Sequence, residues 1–261
     1  MKRKAQLLRE KFKRGELVIG GHSFFTDPAI TNLLGYHGFE FVWIDGEHGA
    51  FTPAIILQHL MAAGDADTAS LVRIAWNDPV LAKPILDMGP DGIIFPYVRT
   101  PEEARMAVET CIYPLKGTRG FGPRRAQKYG AYDPDEYLAD NDASVLKILQ
   151  IEHVDAINAL EEIVQVEGID LIVIGPNDLS ASYGLLGKTK DPQMKKVYDY
   201  IAEVCKKYNM PFGVSVGCTD YESMQDWIAR GAVFLGCGDD MGYMSEGCKK
   251  TLKIVNEMKK Q

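Results

Sequence analysis

Apolar residues in this chain gather into eight short runs, separated by turns and by segments with helical spacing. The runs are Leu17–Phe25, Phe41–Ile44, Ser70–Ala75, Gly92–Val98, Val145–Ile151, Leu171–Ile174, Phe212–Val216 and Val233–Leu235. Most are nearly continuous rather than alternating and are rich in Val, Ile, Phe and Trp, as parallel strands covered on both faces should be. Between them lie apolar stripes such as Ile30, Leu33, Leu34, His37 and Leu81, Pro84, Ile85, Met88, which predict amphipathic helices.

Helix starts carry a repeated signal, a capping residue followed by proline. It occurs at Asp27-Pro28, Thr52-Pro53, Asp78-Pro79, Thr100-Pro101, Asp133-Pro134 and Asp191-Pro192. Asp and Thr accept free N–H groups of the first turn, and proline at the first helical position loses nothing by lacking its own. Thr100 with Glu103 adds a capping box. The first four markers are spaced by 25, 26 and 22 residues, the length of one β/α unit. Pro84 predicts a kink or a late helix start, and Gly89 a helix C-terminus. Residues Tyr243–Gln261 read as a last helix.

Eight alternating units without a composition break predict a single α/β domain over residues 1–261, a closed (β/α)₈ TIM barrel. The alternative is a doubly wound open sheet, which normally carries a glycine-rich phosphate loop after its first strand; Gly20-Gly21-His22 lacks that spacing. Tyr113–Asp133 is too long for a plain connection and is a candidate active-site loop. The net charge of −7 argues against a nucleic-acid surface. No long apolar stretch suggests a membrane span, and the basic start Met1-Lys2-Arg3-Lys4 is followed by charged residues rather than a secretory core. Five cysteines without CxxC spacing fit reduced thiols, so a cytoplasmic protein is expected.

Chemistry in a β/α barrel collects where strands run into their following loops. Those positions hold Asp45-Gly46-Glu47-His48-Gly49, Arg73, Gln150-Ile151-Glu152-His153 and Gly175-Pro176-Asn177-Asp178. Glu152 and Asp178 end consecutive strands, so their carboxylates approach each other. Such a pair needs a cation between its members or a salt bridge from each. Oxygen ligands suit Mg²⁺ or Mn²⁺. Gln150 shares a strand face with Glu152, whereas Lys147 points to the helix layer, leaving no lysine in the barrel mouth for iminium chemistry. Arg73 is either paired to a loop acid or a clamp on a substrate carboxylate or enolate. His48 is a candidate base, its ring held by Asp45 or another carboxylate. His22, His37, His59 and His153 read as ordinary loop or packing residues. The basic loop Lys116–Arg125 reads as a solvated surface, an anion-attracting segment or a subunit contact.

These motifs together resemble the HpcH/HpaI family of metal-dependent class II pyruvate aldolases. The resemblance runs through Ile44–Gly49, Val72-Arg73 with Trp76–Pro79, Leu86–Gly89, Tyr113-Pro114 with Gly117–Gly120, Leu149–Glu152 and Ile174–Ser180. It departs from the usual pattern at Pro90 and Asn177. It implies Glu152 and Asp178 as ligands of a divalent metal (Mg²⁺ or Mn²⁺, with Co²⁺ an alternative). It also implies His48 as base, with Asp45 and Asp87 as its supporting acids, the latter from an adjacent subunit. Arg73 would stabilise the enolate, and Gln150, Asn177 and Asp178 would contact substrate. A swapped terminal helix and a hexamer built from dimers are implied as well. The expected reaction is reversible aldol cleavage of a 4-hydroxy-2-oxo acid to pyruvate and an aldehyde through a metal-bound enolate. Rival readings are a citryl- or malyl-CoA-type lyase and a non-catalytic barrel that binds a 2-oxo acid.

Overall fold

A computed structural model describes residues 4–259. Met1-Lys2-Arg3 and the expected helix end at Lys260-Gln261 lie outside the described residues. Eight parallel strands close into a barrel in chain order: β1 (Val18–Ser23), β2 (Phe41–Asp45), β3 (Ala69–Arg73), β4 (Gly92–Phe95), β5 (Leu146–Ile151), β6 (Leu171–Ile174), β7 (Phe212–Val216) and β8 (Phe234–Asp239). The predicted runs therefore hold, with shifted ends: β1 and β3 each stop two residues short of their runs. β4 stops at Phe95 because the chain turns at Tyr97, whose φ is 58°. β8 runs on through Gly236-Cys237-Gly238, small residues that make no apolar signal.

The helices are α1 (Lys4–Lys13), α2 (Ala29–Tyr36), α3 (Pro53–Asp65), α4 (Pro79–Met88), α5 (Pro101–Thr110), α6 (Pro134–Ser144), α7 (Val154–Asn158), α8 (Leu160–Ile163), α9 (Pro176–Ser182), α10 (Pro192–Lys207), α11 (Tyr221–Ala229) and α12 (Asp240–Met258). Thr52, Asp78, Thr100, Asp133 and Asp191 each accept a first-turn N–H, as their position before proline predicts. Asp27 accepts from Ala29, and α2 begins one residue later than expected. Glu103 reaches the N–H of Arg99 rather than that of Thr100, so the capping box closes one residue further out. α4 runs unbroken through Pro84 and ends at Gly89, whose φ is 73°.

Two apolar layers result. Strand residues facing out, such as Val42, Ile44, Val72, Ile93, Leu149 and Ile172, pack under the helices. Those facing in, such as Phe41, Trp43, Leu71, Ile94, Ile148, Val173 and Phe234, fill the barrel. α1 closes the barrel's N-terminal end by adding Ala5, Leu8 and Phe12 to that inner cluster. Arg9 locks it there, with Nε and Nη2 on the two oxygens of Asp170 at 2.6 and 2.9 Å and further bonds to the carbonyls of Ala143 and Val145. The five cysteines are free. Among the described residues no helix is long and apolar enough to cross a membrane.

The Tyr113–Asp133 loop, expected as a candidate active-site loop, does not reach the polar strand ends of its own chain. It joins α5 to α6 and so lies at the N-terminal rim, where α1 sits, away from the strand ends that carry the polar groups. Arg125 there donates to the carbonyl of Leu60 in α3 and to those of Met88 and Gly89, satisfying the end of α4. Buried Arg119 donates to Asn141 and to the Leu86 carbonyl.

Phe12 is 4% exposed and meets Phe234 edge-on at 6.4 Å. Phe12→Ala should lower unfolding free energy by about 3–5 kcal/mol in a denaturant titration. A loss below about 1 kcal/mol would mean α1 is not part of the inner core.

Candidate active site

The polar groups converge at the opposite, C-terminal rim, and a buried cation organises them. Strand register places Asp45 beside Arg73, 0% and 7% exposed respectively. The Arg73 guanidinium grips both Asp45 oxygens, with Nε 3.2 Å from Oδ1 and Nη2 on Oδ2. Its Nη1 lies 2.9 Å from Glu47 Oε2 and 3.3 Å from Gln150 Oε1. Its flat face covers the Trp43 ring, 5.3 Å from the centroid. A buried guanidinium survives only when compensated this completely. Burial works against the Asp45 charge, yet Arg73 and the His48 N–H hold that carboxyl below the usual range.

Asp45 has a second task, which removes it, though not another carboxylate, as the expected holder of the His48 ring. Its Oδ1 accepts the backbone N–H groups of Glu47 (3.1 Å) and His48 (3.0 Å) and so shapes the turn. It does not hold the imidazole. The His48 side chain is 60% exposed, with Nε2 3.9 Å from Glu47 Oε1. Asp87 lies in the last turn of α4, at the N-terminal rim, 3.7 Å from Arg119. Within one chain, Asp87 and His48 therefore sit at opposite ends of the barrel.

Glu152 follows β5 with 2% exposure. Its Oε1 accepts the Tyr97 N–H at 2.8 Å, a donor turned inward by the left-handed backbone at Tyr97. Its Oε2 accepts from Gln150 Nε2, whose Oε1 takes the Arg73 bond. One amide thus ties the guanidinium to the carboxylate and fixes both. The carboxylate lies hard against Gly175, where a Cβ would fall 2.3 Å from Oε2. Asn177 and Asp178 follow, exposed in the first turn of α9. Lys147 points away from this site, donating to the Asp142 carbonyl.

Glu47 completes the arrangement and was missed by the sequence reading, although its spacing of two from Asp45 was a signal. Burial pushes its carboxyl up against the pull of Arg73, and the charges of Asp45 and Asp178 add to the rise. Glu152 is raised to about 7 by burial first and the Glu47 charge second, with Asp178 adding to both. Among the described residues no lysine or arginine forms an ion pair with Glu152 or Asp178, so the salt-bridge alternative is not what the structure holds. Three carboxylates facing one mouth beside a single guanidinium form a site short of positive charge. A hard divalent cation on Glu152 and Asp178 fits that shortage. Among the described residues no three His, Cys, Asp or Glu side chains form a complete cage, so water or substrate oxygens would supply the remaining ligands.

The barrel fold by itself hosts many chemistries, and it is the matches to known proteins that place this chain among carbon–carbon lyases of aldolase type. The chain belongs to one family within that class: its residues 23–246 match the HpcH/HpaI aldolase/citrate lyase family. A 5-keto-4-deoxy-D-glucarate aldolase of Salmonella arizonae is 33% identical over 247 residues, covering 94% of this chain and 93% of that protein. The crystal structure of an HpcH/HpaI aldolase from Desulfitobacterium hafniense superposes with a TM-score of 0.88 at 27% identity, covering 96% of each chain. The citrate synthase SbnG does so with a TM-score of 0.84 at 27% identity, covering 97% of this chain and 99% of that one.

Two outcomes check this geometry. Gly175→Ala should displace the Glu152 carboxylate and weaken Mn²⁺ binding at least tenfold by calorimetry, about 1.4 kcal/mol; unchanged affinity would mean Glu152 is not pinned against the glycine. The Glu152 carboxyl is raised on folding, so its burial costs stability as pH climbs through about 7, and a cation that needs the ionised form reverses that cost. The rise in melting temperature caused by a fixed, subsaturating Mn²⁺ concentration should therefore grow from pH 6 to pH 8. A pH-independent rise, or one kept in Glu152→Gln, would contradict the assignment.

Proposed function

We propose that this chain catalyses reversible aldol cleavage of a 4-hydroxy-2-oxo acid to pyruvate and an aldehyde, acting as one barrel domain with a divalent metal on Glu152 and Asp178. The observation that carries this is Glu152 itself, a buried carboxylate without a cationic partner among the described residues, in the field of Asp178 and one amide away from Arg73. Mg²⁺ or Mn²⁺ suits the oxygen ligands, and as a Lewis acid it would draw electron density toward the 2-oxo group.

The chain's own residues would do the rest. Arg73, fixed in place by two acids and Gln150, would stabilise the negative charge that grows on the keto oxygen. Gln150 holds Arg73 and Glu152 in register beneath the substrate. The backbone at Asn177 and Asp178 would contact the substrate carboxylate. His48, at the open edge, takes the proton of the C4 hydroxyl as the C3–C4 bond breaks. The keto-deoxy acid in the relatives' name makes a sugar-acid substrate the first to test.

A second copy of the chain belongs to this reading. Most of α12 has no cover from its own barrel: Met244, Leu252 and Met258 are 61%, 62% and 66% exposed. A patch of that kind marks an interaction surface. A homo-oligomer, a hexamer built from dimers, would bury it and bring Asp87 of a neighbouring subunit toward the exposed ring of His48. The CoA-thioester alternative finds less support, because Arg119 and Arg125 of the basic loop are already engaged with their own chain.

Cleavage of 4-hydroxy-2-oxo acids should disappear in EDTA and return with Mn²⁺ or Mg²⁺; full activity in EDTA would remove the metal from the account. His48→Ala should lower kcat by about 10²–10⁴-fold with pyruvate binding kept, and unchanged turnover would exclude it as base. A monomer by light scattering at micromolar concentration would refute the role given to α12 and Asp87.

A further inference from the structure

The N–H that Tyr97 gives to Glu152 is free to do so only because the β4–β5 ladder slips at that point. Phe95 lies opposite Leu149. In a parallel ladder of that register the Gln150 carbonyl takes the N–H of residue 97. It takes the N–H of Val98 instead, at 3.3 Å. One extra residue is thus inserted on the β4 side, a bulge, and that residue is Tyr97. Its own N–H, released from the ladder, reaches Glu152 Oε1 at 2.8 Å.

A bulge residue with positive φ is ordinarily glycine, and a φ of 58° is costly for a side chain as large as tyrosine. Contacts of the ring offset that cost. Three groups pack on it. Trp76, between β3 and α4, stacks at 5.3 Å with 29° between the planes. His153, at the head of α7, lies at 5.6 Å, and the Arg99 guanidinium is 5.4 Å from the ring centre. Two of these are themselves fixed: His153 Nδ1 accepts the Asp155 N–H at 3.2 Å, and Arg99 pairs with Glu103 at 3.5 Å. Trp76 keeps its place on the ring although it is 49% exposed.

We propose that Tyr97 is a positioning residue for the metal seat: its ring, clamped by Trp76 and His153, holds the backbone in the left-handed bulge, and the bulge keeps the N–H on Glu152. This rests on the metal reading above. Without the ring the backbone at position 97 relaxes to the extended region. Its N–H then returns to the Gln150 carbonyl in the regular register, and Glu152 Oε1 loses that donor.

The test is calorimetric titration of Mn²⁺ into the full chain, well below the melting temperature of each variant. Tyr97→Ala should bind Mn²⁺ about tenfold more weakly than the wild type. Tyr97→Phe, which keeps the ring, should restore the affinity. Tyr97→Gly should recover most of it as well, because glycine takes a positive φ without a ring to hold it there. Trp76→Ala should fall between the wild type and Tyr97→Ala. The order of Gly and Ala decides, since a ring that only filled space would leave Gly at least as weak as Ala. Gly no better than Ala, or Tyr97→Ala equal to the wild type, would overturn the role of Tyr97 and leave the metal reading intact. A wild type that binds no Mn²⁺ would overturn the metal reading, and this inference with it.

Discussion

The site depends on one buried positive charge. Arg73 is the guanidinium at the centre of the C-terminal rim, and Asp45, Glu47, Gln150 and the face of Trp43 are arranged around it. Removing a partner from a buried ion pair typically costs about 3–5 kcal/mol, because the other charge is left uncompensated. Three consequences follow from that constraint. Asp45 is kept ionised and its spare capacity shapes the turn bearing His48; Gln150 is oriented by its bond to Arg73; and Gln150 in turn fixes Glu152. Lysine could not replace this group, since a point charge cannot serve three acceptors in a planar fork.

The same balance leaves the mouth deliberately short of positive charge. Asp45 and Glu47 already occupy Arg73, so Glu152 and Asp178 face each other's field without a cation of their own. Burial and the Glu47 charge then raise Glu152 to about 7. Stability is supplied elsewhere, by the inner apolar cluster and by α1, which Arg9 fastens across the far end. The barrel thus separates an end that is closed and apolar from an end that is open and electrostatically strained, as barrel enzymes do.

Much of this was legible in the residues, for identifiable reasons. Continuous apolar runs and Asp/Thr-Pro markers locate strands and helix starts because burial on both faces and first-turn N–H groups impose them locally. Period two along β5 places Gln150 with Glu152 and sends Lys147 away. What the chain could not tell by itself was tertiary. The length of Tyr113–Asp133 says that a loop is large, not which rim it occupies. His22 lies within the predicted strand run Leu17–Phe25, but only the pairing of β1 with both β2 and β8 shows that its ring fills the barrel. Asp45 beside His48 in sequence suggested a held imidazole, but the turn amides and Arg73 take both of its oxygens. Glu47 was overlooked because an acid in a turn is ordinarily solvated.

The central claim is that Glu152, Asp178 and Arg73 together make a 2-oxo acid acidic at the carbon beside its keto group. Proton NMR of pyruvate with the Mg²⁺-loaded protein in deuterated water reads that step without any aldehyde. The methyl signal should be lost by exchange with metal present, and not with EDTA, with Glu152→Gln or with Arg73→Lys. Exchange at the same rate in EDTA, or no exchange with metal bound, would contradict the account.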